Sequence, residues 1–130
     1  MEISKESPLI EFNSLSLAYL GDAVYELYIR TYLLSKGNYK VGDLQNMAVK
    51  YVSAKAQSAF LDKMIDDNFL TEEELTIVKR ARNHKSHQSP KHTDIITYKK
   101  STGLEALIGY LKLTKNEIRI EEIMKYIVGE

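Results

Sequence analysis

The sequence predicts an all-α protein folded as a helical bundle. Along most of the 130 residues, apolar side chains recur at intervals of three and four, which is the spacing of one face of an α-helix. Capping boxes of the form Thr-x-x-Glu occur at 71–74 and 114–117, and such boxes mark helix starts. No segment alternates apolar and polar residues as a half-buried strand does. A single domain over residues 1–130 is expected.

The first helix is predicted to begin at a cap formed by Asn13 or Ser14 and to end at Gly37. Its apolar stripe is expected to follow Leu17, Leu20, Val24, Leu27, Thr31 and Leu34. The later helices are predicted at about 43–50, from a Ser53 cap to about Met64, from Thr71 to about Asn83, from about Thr93 to Leu113, and from the 114–117 box to near Val128. The segment HKSHQSPKH between the fourth and fifth helices is predicted to be a loop.

The composition excludes several classes of protein. Hydrophobic residues make up 44% of the chain and charged residues 28%, which is typical of a folded globular protein rather than a disordered one. The absence of cysteine excludes a disulfide framework and a thiolate zinc site. The first ten residues carry charges of both signs, and no apolar run is long enough to span a membrane. A cytoplasmic location is therefore expected.

The charge is unevenly distributed although the net charge is zero. Segment 61–75 is strongly acidic, whereas segment 79–100 holds seven Lys or Arg residues, three His residues and one acid. A neutral total can conceal a basic face that a phosphate backbone would recognise. The alternative is a solvated helix end and loop, as charge runs often are.

A carboxylate stands in the middle of the first predicted helix, in the stretch LAYLGDAVYELYIR (17–30). At 100° per residue, Asp22 is expected to point away from the apolar stripe, and none of its helix neighbours is a cation. Glu26, by contrast, has Arg30 four residues later. A partly covered carboxylate requires a cation or hydrogen bonds, whereas an exposed one does not. This helix alone leaves both interpretations open.

The segment STGLEALIGYL (101–111) has the same design. Glu105 points away from its apolar stripe and is flanked by Ser101, Thr102 and Gly109, which are small enough to let another helix or a ligand approach. Two such helices can meet and hold a hard divalent cation between their carboxylates. Oxygen ligands without cysteine favour Mg²⁺ or Mn²⁺ over zinc. The alternative is a pair of unrelated surface acids.

The two acidic segments resemble those of the ribonuclease III family. LAYLGDAVYELYIRTYLL is similar to the family's signature helix, with its Leu-Gly-Asp-Ala-Val core, and EALIGYL is similar to its second acidic helix. The stretch from KRARNHKS through PKHTDIITYKK into that helix resembles the mini-ribonuclease III branch, a catalytic domain without the appended double-stranded-RNA-binding domain. The resemblance covers essentially the whole chain and implies the ribonuclease III endonuclease-domain helical bundle, assembled as a homodimer.

The resemblance implies that Asp22 and Glu105 are the catalytic residues and bind the metal, Mg²⁺ with Mn²⁺ as a substitute. It implies hydrolysis of RNA phosphodiester bonds without a covalent nucleophile. Two further acids that are usual in the full-length enzymes correspond here to Leu15 and Thr102. The number of metal ions and the remaining ligands therefore stay open, since water and phosphate oxygens can complete the shell of Mg²⁺.

The substrate implied by the resemblance is double-stranded RNA, which proteins recognise mainly by shape, through phosphates and 2′-hydroxyls. In a homodimer, two sites would face the two strands, and the excess apolar surface of the first helix is compatible with an isologous dimer. For this branch the resemblance points to the ends of the 23S ribosomal RNA precursor in bacteria. The basic residues expected to contact RNA are Lys50, Lys55, Arg80, Arg82, Lys85 and Lys91.

Three alternatives follow from the same residues. The missing acids at Leu15 and Thr102 would suit a non-catalytic, double-stranded-RNA-binding relative of the same fold. A helical protein–protein adapter is a second alternative. A metal cluster at His84, His87 and His92 is a third, but the spacing of these residues fits no zinc pattern, and a partial positive charge beside RNA suits them better.

Overall fold

Six helices make up the structure, a computed structural model that describes residues 13–84, 91 and 93–130. The helices are α1 (Ser14–Lys36), α2 (Val41–Val52), α3 (Ala54–Asp66), α4 (Glu72–Arg82), α5 (Ile95–Leu113) and α6 (Glu117–Val128). These described residues contain no strand, so the all-α prediction is confirmed. None of the six helices is long and apolar enough to cross a membrane.

Capping residues place the starts of α1 and α4 where the sequence predicts them, and Ser53 does the same for α3. Asn13 Oδ1 accepts a hydrogen bond from the Ser16 backbone N–H at 2.8 Å and begins α1. The box at the start of α4 is complete, because Thr71 Oγ1 accepts from the Glu74 N–H at 3.1 Å and Glu74 Oε1 accepts from the Thr71 N–H at 2.9 Å. Both caps satisfy amides that lack a partner within the helix.

Other predicted boundaries are corrected by the structure. The helix expected at 43–50 extends from Val41 to Val52, and α5 begins at Ile95 rather than Thr93, because Asp94 is its cap. The predicted box at Thr114 is wrong, since the Thr114 hydroxyl donates to the Tyr110 carbonyl oxygen at 2.9 Å and closes α5. Asn116 caps α6 instead.

The central element is α5, which packs against α1, α3, α4 and α6. Every residue from Ser101 to Leu111 is buried except Glu105, which is half-buried. Such a helix cannot keep an acidic side chain in its middle without a compensating environment. The groups around Glu105 must therefore compensate for the burial of its carboxyl group.

The buried face of α1 differs from the predicted stripe. Leu27 and Leu34 of the predicted stripe are 64% and 61% exposed, so the stripe is not the face of α1 that the fold buries. The physical reason is the approach of α5, which meets α1 at Gly21 and turns a neighbouring face inward. The large apolar residues of that buried face are Leu17, Val24, Tyr25, Ile29 and Leu33.

Candidate active site

Helices α1 and α5 touch backbone to backbone at two glycines. A Cβ atom added to Gly21 would lie 1.7 Å from the carbonyl oxygen of Glu105, and one added to Gly109 would lie 1.9 Å from that of Leu17. No side chain fits at either glycine without separating the helices. Asp22 follows Gly21, and the backbone of Glu105 is part of the contact. The crossing therefore fixes both acidic residues at one place.

The structure brings the two predicted carboxylates together. Asp22 is exposed and Glu105 is half-buried. Burial raises the pKa of Glu105 to about 9, and the hydrogen bond and the negative charge of the Asp22 side chain add to this rise. Two carboxyl groups this close cannot both ionise without repulsion. The pair therefore favours a proton or a cation between its members.

Other side chains around the pair belong to α1 and α3. The Glu26 carboxylate accepts a hydrogen bond from Arg30 at 3.0 Å, and its charge makes a smaller contribution to the raised pKa of Glu105. Tyr25, fully buried beneath the site, donates its hydroxyl to the Tyr51 carbonyl oxygen at 2.7 Å and so ties α1 to α2. The Tyr25 hydrogen bond thus helps to hold the Asp22 segment of α1 in place.

Gln57 on α3 also lies beside the acidic pair, and it was not among the predicted site residues. Its side chain is 1% exposed and lies close enough to Glu105 to lower the pKa of that carboxyl. A signal was present in the sequence, because Gln57, Leu61 and Met64 lie at i, i+4 and i+7 on one buried face. A polar residue in an apolar series of this kind marks a special environment.

The donor atoms at this site fit a hard divalent cation. Two carboxylates supply oxygen only, which Mg²⁺ and Mn²⁺ prefer. Over the described ranges, no three His, Cys, Asp or Glu residues are grouped closely enough to hold a metal. Neither of the two positions that carry further acids in the full-length enzymes adds a carboxylate, because Leu15 is apolar and Thr102 is a buried residue whose hydroxyl donates to the Tyr98 carbonyl oxygen at 3.0 Å. Water or phosphate oxygens would therefore have to complete the shell.

Four of the six predicted RNA-binding residues lie at helix ends. Lys50 is in the last turn of α2 and Lys55 in the first turn of α3, on either side of Ser53. Arg80 and Arg82 are in the last turn of α4. These four side chains and that of Lys91 are exposed, while Lys85 lies outside the described residues.

Only part of the histidine segment can be placed. His84 is half-buried just after α4, whereas His87 and His92 lie outside the described residues.

Comparisons with known proteins agree with these features. The family model described as the Ribonuclease III domain matches residues 15–116, which include Asp22 and Glu105. A "Mini-ribonuclease 3" from Enterococcus faecalis is 48% identical over 118 residues, covering 91% of this chain and 89% of the relative. Another, from Staphylococcus aureus, is 43% identical over 128 residues, covering 98% and 96%.

A solved structure shows the same fold. The X-ray crystal structure of a protein from Fusobacterium nucleatum matches with a TM-score of 0.82 and 38% identity, covering 94% of this chain and 96% of that one. This likeness extends over the helices that carry the acidic pair. Together with the family model and the relatives, it shows that the chain belongs to the ribonuclease III family, in its mini-ribonuclease 3 branch.

Proposed function

We propose that Asp22 and Glu105 form the cleavage site of this double-stranded-RNA endoribonuclease and that they hold Mg²⁺, for which Mn²⁺ can substitute. The observation that carries the proposal is the crossing at Gly21 and Gly109, which joins carboxylates from two distant segments. Like charges in a half-buried place are stable only with a compensating cation or proton. A divalent cation would compensate the negative charge of the two carboxylates, and it would also act as the Lewis acid of a hydrolase.

The chain's own residues have separable tasks in this proposal. Asp22 is exposed and would hold the ion on the side that RNA approaches. Glu105 would release its proton as the ion binds, because a carboxyl with a pKa of about 9 is protonated at neutral pH. When bound, the ion activates a water molecule and offsets charge on the leaving oxygen. The chain has no cysteine to serve as a covalent nucleophile.

Affinity for the duplex is proposed to come from the basic residues at the ends of α2, α3 and α4 and from those in the sequence that follows α4. Their contacts would go to phosphates, which fix the position of a duplex without reading its sequence. Such contacts release counterions, so binding should weaken steeply as salt is added. The residues assigned to this surface are Lys50, Lys55, Arg80, Arg82, Lys85 and Lys91.

A second copy of the chain is proposed to cover an apolar groove between α1 and α2. The groove has a volume of about 350 Å³, and three of its lining residues, Leu34, Val41 and Val49, are 61%, 70% and 56% exposed. Monomers rarely leave such a contiguous apolar patch uncovered. Glu26, one turn after Asp22, lines the same groove. A two-fold interface here would bring two cleavage sites to one duplex.

The natural substrate is proposed to be the 23S ribosomal RNA precursor, in the bacterial cytoplasm. The resemblance to the mini-ribonuclease III branch supports this part of the proposal. The residues of the site do not select one duplex over another, because phosphate contacts carry no sequence information.

The experiment that tests the site is digestion of a long duplex RNA with Mg²⁺ and with EDTA. The parent should cut only with Mg²⁺, and Asp22→Asn or Glu105→Gln should each lower kcat roughly 100-fold or more, because each removes a charged ligand of the cation that would stabilise the transition state. Asp43→Asn is a matched control, since Asp43 is an exposed acid on α2 outside the site.

Three other results would count against this proposal. Cleavage by Asp22→Asn at the parent's rate would exclude the catalytic assignment. A parent that binds duplex RNA with a steep salt dependence but never cuts would be the non-catalytic relative. A parent with no RNA affinity at low salt would be the helical adapter.

A further inference from the structure

A buried amide beside the acidic pair lacks a hydrogen-bond partner. The Gln57 side chain is 1% exposed, and its Nε2 atom has no partner among the described residues. A buried N–H group without an acceptor costs free energy relative to the same group in water. An apolar side chain of similar size would avoid that cost, and Leu61 and Met64 occupy the same face of α3. Packing alone therefore does not account for glutamine at this position.

The group that faces this amide is the Glu105 carboxyl. Helix α3 packs against α5, and the Gln57 side chain is near enough to Glu105 to lower the pKa of its carboxyl. The geometry falls short of a complete hydrogen bond, because Nε2 remains unpartnered. The unpartnered Nε2 donor of Gln57 therefore lies beside the Glu105 carboxyl group, which becomes a stronger hydrogen-bond acceptor once it is ionised.

The start of α3 holds Gln57 in this position. Ser53 caps the helix, with its hydroxyl oxygen accepting from the Ala56 N–H at 3.1 Å, and the Gln57 N–H donates to the Ser53 carbonyl oxygen at 2.9 Å. Leu61 and Met64 anchor the next two turns in the core. The amide is therefore presented by a rigid element rather than by a loop.

We propose that Gln57 is a positioning residue of the cleavage site, whose Nε2 donates a hydrogen bond to the ionised Glu105 carboxylate and so orients it for a divalent cation. This inference rests on the proposed function of Asp22 and Glu105. One oxygen of the carboxylate would accept from Gln57, which leaves the other for the ion. Removing a hydrogen-bond partner of a metal ligand typically lowers metal affinity by about 10- to 100-fold.

The test is a Mn²⁺ titration of the metal-free protein, followed by electron paramagnetic resonance of the unbound ion. Gln57→Met keeps the length of the side chain and removes the donor. We expect Mn²⁺ affinity to fall about 10-fold or more, while the thermal midpoint without metal stays equal or rises. In RNA digestion, kcat should fall with KM for the duplex unchanged.

A second variant and a control separate positioning from packing. Gln57→Asn keeps an amide but withdraws it by one methylene, so we expect it to lose Mn²⁺ affinity as well. Ser58→Ala removes a different buried polar group of the same helix and should keep the parent's affinity. Unchanged Mn²⁺ affinity in Gln57→Met, or failure of both Gln57 variants to fold, would overturn the inference.

The same titration distinguishes this inference from the proposed function. Asp22→Asn and Glu105→Gln should abolish the Mn²⁺ site. If they bind Mn²⁺ as the parent does, the proposed metal site is wrong and the inference on Gln57 falls with it. If they lose the site while Gln57→Met keeps it, only the inference is wrong.

Discussion

The Glu105 side chain makes the metal-free protein sensitive to pH. Burial and the adjacent Asp22 raise its pKa to about 9 in the folded state, whereas an unfolded chain has the ordinary glutamate value near 4.5. Between these two values the folded state binds more protons than the unfolded state, so the free energy of unfolding decreases as the pH rises. The stabilising contribution is complete below about pH 4.5 and is lost by about pH 9.

Glu105→Gln is predicted to remove this dependence. Glutamine cannot ionise, so in EDTA at pH 8 the variant should be more stable than the parent by about 1–3 kcal/mol, and its thermal midpoint should change less between pH 5 and pH 9. Thermal unfolding at a series of pH values measures both. Glu121→Gln, at an exposed position on α6, should keep the parent's slope. Parallel slopes for parent and Glu105→Gln would contradict the prediction.

At the scale of the elements, the crossing of α1 and α5 depends on two residues without side chains. Gly21→Ala is predicted to destabilise the protein by about 3 kcal/mol or more, because its Cβ would overlap the Glu105 carbonyl oxygen and force the helices apart. Cleavage should be abolished as well, since the same displacement separates the acidic pair. Denaturant unfolding measures the first effect and duplex digestion the second.

Gly42 provides the matched control for this prediction. It also lies in a helix, and a Cβ there would meet nothing within 4 Å. Gly42→Ala should therefore be neutral or stabilising by up to about 1 kcal/mol, through helix propensity and lower entropy of the unfolded chain. Equal destabilisation at Gly21 and Gly42 would show that close packing is not what Gly21 provides.

The sequence predicts the start of a helix well where a capping side chain determines it. Asn13 and Thr71 begin their helices as the sequence indicates, because each side chain has backbone amides within reach. Thr114 does not, because the same hydroxyl can also bond the carbonyl oxygen of Tyr110 behind it. The residue type alone does not determine which of these two hydrogen bonds a threonine forms. The path of the chain after α5 determines it.

The buried faces were harder to predict than the helices themselves. Leu27 and Leu34 fit an apolar stripe by spacing, but the core of α1 is set by where the backbone of α5 can approach. The meeting of Asp22 and Glu105 was predictable from the small residues beside each acid. The spacing in α3 indicates that Gln57 is a polar residue on a buried face, but it does not show that Gln57 meets Glu105, because periodicity within one helix does not show which groups meet across helices.

For the whole molecule, the basic residues should determine affinity for RNA without affecting folding. Replacing Arg82 and Lys85 by Ala is predicted to weaken duplex binding and to reduce the salt slope by about 1 for each phosphate that the variant no longer neutralises. The thermal midpoint should barely change. Fluorescence anisotropy at several salt concentrations measures the slope.

A control with equal loss of charge tests whether position matters. Lys112→Ala with Lys125→Ala also removes two cations, from exposed ion pairs outside the proposed surface. That double variant should keep most of the parent's affinity and salt slope. Similar weakening in both double variants would indicate a general charge effect, and a large drop in the midpoint of the Arg82 and Lys85 variant would indicate a structural role.

The last prediction concerns the proposed assembly of two copies of the chain through the groove between α1 and α2. Leu34→Glu places a charge in the exposed apolar groove between α1 and α2, where a second copy would have to remove it from water at a cost in free energy. We expect the variant to sediment as a monomer and to lose most duplex cleavage, because the two strands would no longer meet two sites together. Its helical content should be unchanged, since Leu34 packs little within one copy. Ile118→Glu, at a position that is 76% exposed on α6 outside the groove, should remain a dimer, and a dimeric Leu34→Glu would exclude the groove as the interface.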